Sequence, residues 1–220
     1  MTASGALAPS TQARVVVLAK APQPGRAKTR LIPALGAEGA ALLARHMLAQ
    51  TLQTALEAGL GRVELCMSPA PGDAHWQGVP VPKGVLCSAQ GEGDLGHRMR
   101  RAATRVMRSH RQAVLLIGTD CPALTAQHLQ QAAQALLHHD AVLLGAHDGG
   151  YVLVGLKAPC PAIFADMPWS TPAVLALTLQ RLSALGWRVW QGPVLHDIDE
   201  PTDLLHLPSH LQKNMNNNTR

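Results

Sequence analysis

The chain is poor in aromatics: of 220 residues only 3% are aromatic, with one Phe, one Tyr and four Trp. Leu, Val and Ala must therefore fill the core, and the stacking platforms that single-stranded nucleic acid requires are scarce. The four cysteines, Cys66, Cys87, Cys121 and Cys160, form no Cys-x-x-Cys pair, which excludes a zinc knuckle or a dithiol redox centre and leaves reduced core thiols. No stretch approaches the roughly 20 apolar residues of a membrane span. Residues 1–13 lack a basic segment followed by an apolar run. These absences point to a cytoplasmic protein. Eleven histidines include no His-Glu-x-x-His, and no serine sits in a Gly-x-Ser-x-Gly elbow, so zincin and serine-hydrolase chemistry find no support.

What the chain does have is 47% apolar residues, enough for one substantial core, and a formal charge of +5 that suits an anionic partner. The densest basic stretch, Arg98 to Arg111, carries six arginines on a helical segment and reads as a solvated helix face rather than a nucleic-acid surface.

Short apolar, β-branched runs at Val15 to Ala19, Val63 to Met67, Val85 to Ser88, Ala113 to Gly118 and Ala141 to Ala146 read as buried strands. They alternate with helical patterns over Glu38 to Ala58, Leu95 to Ser109 and Thr125 to His138, with Thr125 as N-cap. Gly149-Gly150 predicts a reversal of strand direction, hence a mixed sheet. Pro172 opens a helix through Leu185, and Trp187 to Val194 is the last strand. The expected organisation is a flexible segment 1–13, a single domain over 14–207, and a disordered Asn-rich tail over 208–220.

Chemistry-bearing residues gather where strands end, the place where open α/β sheets hold ligands. The loop Lys20-Ala21-Pro22-Gln23-Pro24-Gly25-Arg26-Ala27-Lys28-Thr29-Arg30 crowds four cations into one turn, and Gly25 lets backbone amides approach a phosphate. It is not a Walker loop, because Ala27 stands where glycine precedes the lysine. Gly118-Thr119-Asp120-Cys121-Pro122 and Asp197-Ile198-Asp199-Glu200-Pro201 offer Asp120 and Asp199 as oxygen ligands for Mg2+ or Mn2+, which take one or two carboxylates and complete their octahedron with phosphates and water; each is equally suited to cap a helix. Gln90-Gly91-Glu92-Gly93-Asp94 is either a capped turn or part of a nucleotide pocket. Asp148-Gly149-Gly150-Tyr151 is either a reversing turn or an acceptor contact.

Taken together, these motifs and Met167-Pro168-Trp169-Ser170-Thr171 resemble, in order and over roughly Val15 to Leu207, the bacterial DUF2064 family of candidate GT-A-type glycosyltransferases. The resemblance implies an α/β, Rossmann-like nucleotide-diphospho-sugar transferase fold with a mixed, mostly parallel sheet flanked by helices. It implies a nucleotide at the first loop (Lys20, Pro24, Gly25, Lys28, Arg30, with Gly91 and Asp94) and a metal on Asp120 and Asp199. Gly149, Gly150, Tyr151, Trp169, Ser170 and Thr171 fall on the acceptor side. The expected reaction is transfer from a nucleotide sugar to a small-molecule acceptor, with Lys28 and Asp148 as catalytic groups. The alternatives are nucleotidyl transfer from a nucleoside triphosphate with release of pyrophosphate, and a non-catalytic nucleotide-binding module. Pocket shape, not spacing, decides base, sugar, acceptor and oligomeric state.

Overall fold

The computed structural model describes residues 12–110 and 112–212. Seven strands form one sheet in the order β3-β2-β1-β4-β6-β5-β7: β1 Ala13–Lys20, β2 Val63–Ser68, β3 Leu86–Ala89, β4 Ala113–Ile117, β5 Ala141–Gly145, β6 Tyr151–Leu156 and β7 Val189–Gln191. Strand β6 runs antiparallel to both β4 and β5, and the remaining pairs are parallel. The reversal foreseen at Gly149-Gly150 is the β5–β6 connection, and it makes the sheet mixed. Strand order turns back between β1 and β4, which opens a crevice at their carboxyl ends.

Among the described residues four α-helices cover the sheet: α1 Ile32–Glu57, α2 Leu95–His110, α3 Ala126–Ala135 and α4 Val174–Ala184. Leu48, Leu52 and Ala55 of α1 and Leu129, Ala132 and Ala133 of α3 pack on one face. Met99, Ala102, Ala103 and Val106 of α2 and Leu182 of α4 pack on the other. With so few aromatics, close approach replaces bulk. At Gly155 on β6 an added Cβ would lie 2.4 Å from Val142 and 2.5 Å from Leu115, so only glycine permits this packing.

Several boundaries differ from the sequence expectation. Helix α1 begins earlier than Glu38, but Gly36 breaks it at φ 70°, so the regular helix starts where the apolar period starts. Thr125 does cap α3, accepting the His128 N–H, although the helix ends at Ala135 rather than His138. Strand β7 has three residues because the chain beyond Gln191 leaves the sheet. The tail boundary at Pro208 is too early: residues 209–212 form a helical turn that buries Leu211 against Leu31, Leu43, Met47 and Ile198. The flexible segment expected over 1–13 runs too far, since Ala13 is buried at the start of β1; residues 1–11 and the asparagines of 213–220 lie outside the described residues.

The arginine helix is also not simply a solvated face. Arg100 and Arg108 are exposed, whereas Arg105 turns inward to the buried Glu64. Arg101 ties down the backbone carbonyls of Gln90 and Glu92. Arg98 donates to the Gly93 carbonyl at 2.8 Å. A charge-dense helix here serves as a clamp on the loop after β3.

Candidate functional site

The carboxyl ends of β1 and β4 open into a cavity of about 650 Å³, within the size range of small-molecule sites. Beyond β1 the chain turns at Gly25 (φ 72°), where the Arg26 and Ala27 amides both donate to the Gln23 carbonyl at 3.1 Å. Lys28 then adopts the left-handed conformation, φ 49° and ψ 43°, which is costly for a residue with a Cβ. Its ammonium lies 2.5 Å from Asp120 Oδ1 and 2.7 Å from Asp199 Oδ1, and it also donates to the Ile198 carbonyl.

Two remote segments are thus brought to one cation. Backbone sews them further, with the Ile198 N–H donating to the Asp120 carbonyl at 2.8 Å. Ile198 is fully buried against Leu31, Leu43 and Met47, and both Asp197 and Asp199 beside it line the cavity. The exposures are unequal: the Lys28 side chain is 7% exposed, those of Asp120 and Asp199 49% and 39%. Burial alone would lower the lysine's pKa, but the two carboxylates outweigh it and hold the pKa above its ordinary value. Asp197 moves the other way. Burial, reinforced by the Asp148, Asp199 and Asp120 charges, pushes its carboxyl up to about 6. Asp148 lines the same cavity, and its Oδ1 accepts the Gly150 N–H at 2.8 Å.

The opposite wall is basic. Lys20, Arg26 and Arg98 line the main cavity and an adjoining hollow of about 430 Å³ that also holds Ser68, His75 and Gly91. Lys20 and Arg26 make no ion pair among the described residues, whereas Arg30 reaches Glu200 at 3.3 Å. Gln90 is buried and donates to the Ala19 and Cys66 carbonyls at 3.0 and 2.9 Å, fixing the end of β3 against β1 and β2. Asp94 is a cap, accepting the His97 N–H at 2.8 Å, and it lines the cavity as well. Pro24 and Gly25 shape the turn but line neither hollow.

On the far side Gly150, Tyr151, Trp169, Ser170 and Thr171 line the cavity. Tyr151 and Trp169 meet edge to face, with centroids 6.4 Å apart. The Trp169 ring packs on Gly96, where a Cβ would lie 2.9 Å from its Nε1 and 2.3 Å from the Phe164 carbonyl oxygen. Ser170 is left-handed, φ 63°. Gly149 is not among the residues that line this cavity. It packs on Pro172, whose carbonyl oxygen would stand 2.3 Å from a Cβ there, and its own carbonyl accepts the Leu175 N–H at the start of α4.

Sequence reasoning took Gln90 only as part of a turn or nucleotide pocket, read Arg98 as part of a solvated helix face and gave Asp197 no role of its own, although the alternation Asp-Ile-Asp, with an apolar residue between two carboxylates, is a readable sign that both acids share a face. It also missed a stack of three imidazoles: His147 and His196 lie 3.6 Å apart and His196 and His206 3.9 Å apart, nearly parallel. The stack holds the segment bearing Asp197 and Asp199 against the β5–β6 turn bearing Asp148.

Among the described residues no three His, Cys, Asp or Glu side chains are grouped to hold an ion. Asp120 and Asp199 offer paired, half-open carboxylate oxygens, the donor type and number that Mg2+ or Mn2+ takes when substrate phosphates supply the rest. The residues fit a metal that is shared with a ligand, not one caged by protein.

Residues 51–171 match the DUF2064 family, described as an uncharacterized protein conserved in bacteria. The chain is 31% identical to a candidate nucleotide-diphospho-sugar transferase from Desulfovibrio desulfuricans G20, covering 87% of this chain and 84% of that one, with a TM-score of 0.79. It shares its fold with Rv0371c from Mycobacterium tuberculosis H37Rv, solved as a manganese complex (16% identity, 89% and 97% covered, TM-score 0.57). It also shares it with CMP:2-keto-3-deoxy-manno-octonic acid synthetase, solved with CTP (12% identity, 92% and 99% covered, TM-score 0.57). A search of curated proteins finds no match. The fold is that of the nucleotide-diphospho-sugar transferases.

Proposed function

The chain belongs to the DUF2064 family, and we propose that it is a transferase that holds a nucleotide substrate by its phosphates in the β1–β4 crevice and passes part of it to a small-molecule acceptor. The observation that carries this reading is the Lys28–Asp120–Asp199 cluster, assembled from three segments at the mouth of a cavity whose other wall bears Lys20, Arg26 and Arg98. Cations on one wall and open carboxylates on the other suit a diphosphate bridged to a divalent metal. The manganese complex of a protein of this fold supports that pairing.

Asp120 and Asp199 would hold Mg2+ or Mn2+, which when bound supplies charge neutralisation at the diphosphate. Lys20, Arg26 and Arg98 bind the phosphate oxygens, and Arg30, paired with Glu200, lines the cavity beside them. The Gln90 and Arg101 anchors keep the Gly91 to Asp94 loop in place beside the nucleotide, so its amides need no reorganisation when charge develops on the leaving group. Tyr151, Trp169, Ser170 and Thr171 line the acceptor half. There Asp148 orients the acceptor hydroxyl, and Asp197, with its carboxyl near 6, is the group placed to take the proton.

The donor is a nucleotide sugar, so the expected products are a glycosylated acceptor and a free nucleoside diphosphate. Incubating the protein with nucleotide sugars and nucleoside triphosphates, each with Mg2+ or Mn2+, and resolving products by anion exchange tests this. Pyrophosphate release from a triphosphate would replace it with nucleotidyl transfer, a reading favoured by the single aspartate in Gly118-Thr119-Asp120, where an Asp-x-Asp would mark a glycosyltransferase. Nucleotide binding without any product would reduce the protein to a binding module.

A further inference from the structure

We propose that Lys28 is a built-in counter-cation that competes with the divalent metal for Asp120 and Asp199, so that metal alone is held off and is admitted together with nucleotide phosphates. The inference rests on the preceding reading of the pocket and adds an order of events to it.

Three observations carry it. First, the Lys28 ammonium already lies 2.5 and 2.7 Å from one oxygen of each carboxylate, so it has taken the shared face that a bridging ion would use. Second, lysine and carboxylates are oppositely exposed, 7% against 49% and 39%. The ammonium is the buried member of the cluster, while both carboxylates stay half-open and line the cavity. A metal reaching those oxygens would stand within a few ångströms of a fixed positive charge. Third, Lys28 is reached through a left-handed backbone in a loop whose next residues, Thr29 to Leu31, form a single 3-10 turn. The lysine is the one cation of the basic loop placed between both acids. Lys20 and Arg26 are unpaired with carboxylates among the described residues and stay available to phosphate.

The physical consequence is competition followed by exchange. Two cations sharing the same oxygens repel, so the lysine weakens metal binding in the empty site. An incoming diphosphate offers the ammonium another anion in the same cavity. Once Lys28 leaves the pair, Asp120 and Asp199 regain their full charge for the metal. Nucleotide and metal therefore strengthen each other's binding, and the coupling is reciprocal.

The test is a Mn2+ titration followed by electron paramagnetic resonance, without nucleotide, on wild type, Lys28→Met and Lys28→Arg. Lys28→Met should bind Mn2+ at least about tenfold more tightly than wild type, while Lys28→Arg, which keeps the charge, should stay with wild type. Equal or weaker binding by Lys28→Met overturns the proposal. A second measurement needs no variant: acetic anhydride labelling of wild type, read by mass spectrometry with Lys20 as the internal standard. Mn2+ added with a nucleoside diphosphate should change Lys28 labelling several-fold relative to Mn2+ alone at the same concentration, and identical labelling under the two conditions would overturn the proposal. If no form binds Mn2+ even with a nucleoside diphosphate, the metal-nucleotide reading falls with it. If wild type binds Mn2+ but Lys28→Met shows no gain, only the competition is lost.

Discussion

Two buried charge clusters in this molecule use the same ingredients and end differently. Glu64 on β2 is 2% exposed; Arg105 donates to it at 3.0 Å, Arg14 at 3.4 Å and Ser88 at 2.6 Å. Burial would raise its pKa, but the Arg105 and Ser88 hydrogen bonds and the Arg14 contact together hold it below the usual range. Its carboxylate is surrounded and lines neither of the two hollows described above. At the β1–β4 edge the proportions are reversed, with one buried lysine under two half-open carboxylates that face a 650 Å³ cavity. A cluster with its lone pairs satisfied holds helix to sheet. One with its lone pairs facing a cavity is equipped to bind.

Substitutions at the two clusters should separate accordingly. Glu64→Ala leaves Arg14, 5% exposed, without its carboxylate, and urea unfolding should show a loss of about 3–5 kcal/mol. Asp120→Asn and Asp199→Asn should cost about 1 kcal/mol or less in the same assay, because their carboxylates are open to solvent screening. Each should nonetheless lower product formation about 10²- to 10³-fold. Equal stability losses at both clusters would erase the distinction. Gly96→Ala drives a Cβ to 2.3 Å from the Phe164 carbonyl; a thermal melt should show about 1–3 kcal/mol lost, with nucleotide affinity retained and acceptor KM raised, since the displaced ring is Trp169.

The smallest effect concerns Asp197. Its folded pKa of about 6 exceeds the ordinary 3.8, so the folded state binds the proton more tightly than the unfolded chain. Its stabilising contribution is complete below about pH 4 and is lost as pH rises through 6. Between pH 4 and 7 wild type should lose about 1–2 kcal/mol relative to Asp197→Asn after allowance for partial exposure. A flat difference across that range would contradict the shift.

Much of the frame was legible in the sequence because central parallel strands must be apolar on both faces, and Val15 to Ala19 or Ala113 to Gly118 can be little else. Gly149-Gly150 announced the reversal of β6. The strand-end motifs drew Asp120 and Asp199 out of the sequence, and both line the cavity. What spacing could not convey was direction. Lys28 read as a phosphate ligand, yet its left-handed backbone sends the side chain under the carboxylates. Arg98, Arg101 and Arg105 read as solvated, because composition does not reveal which carbonyls a helix faces. Gly149 read as an acceptor contact, whereas its proximity to Pro172 is a tertiary fact. The histidine stack joins positions 147, 196 and 206, too far apart in sequence for any local pattern.

The most direct test is isothermal titration of a nucleoside diphosphate into wild type and into Asp120→Asn/Asp199→Asn, each with and without Mn2+. The account predicts that Mn2+ tightens nucleotide binding at least about tenfold in wild type, and that the gain vanishes in the double variant while the metal-free affinity, carried by Lys20, Arg26 and Arg98, persists or rises. A Mn2+-dependent gain of the same size in both proteins would contradict it.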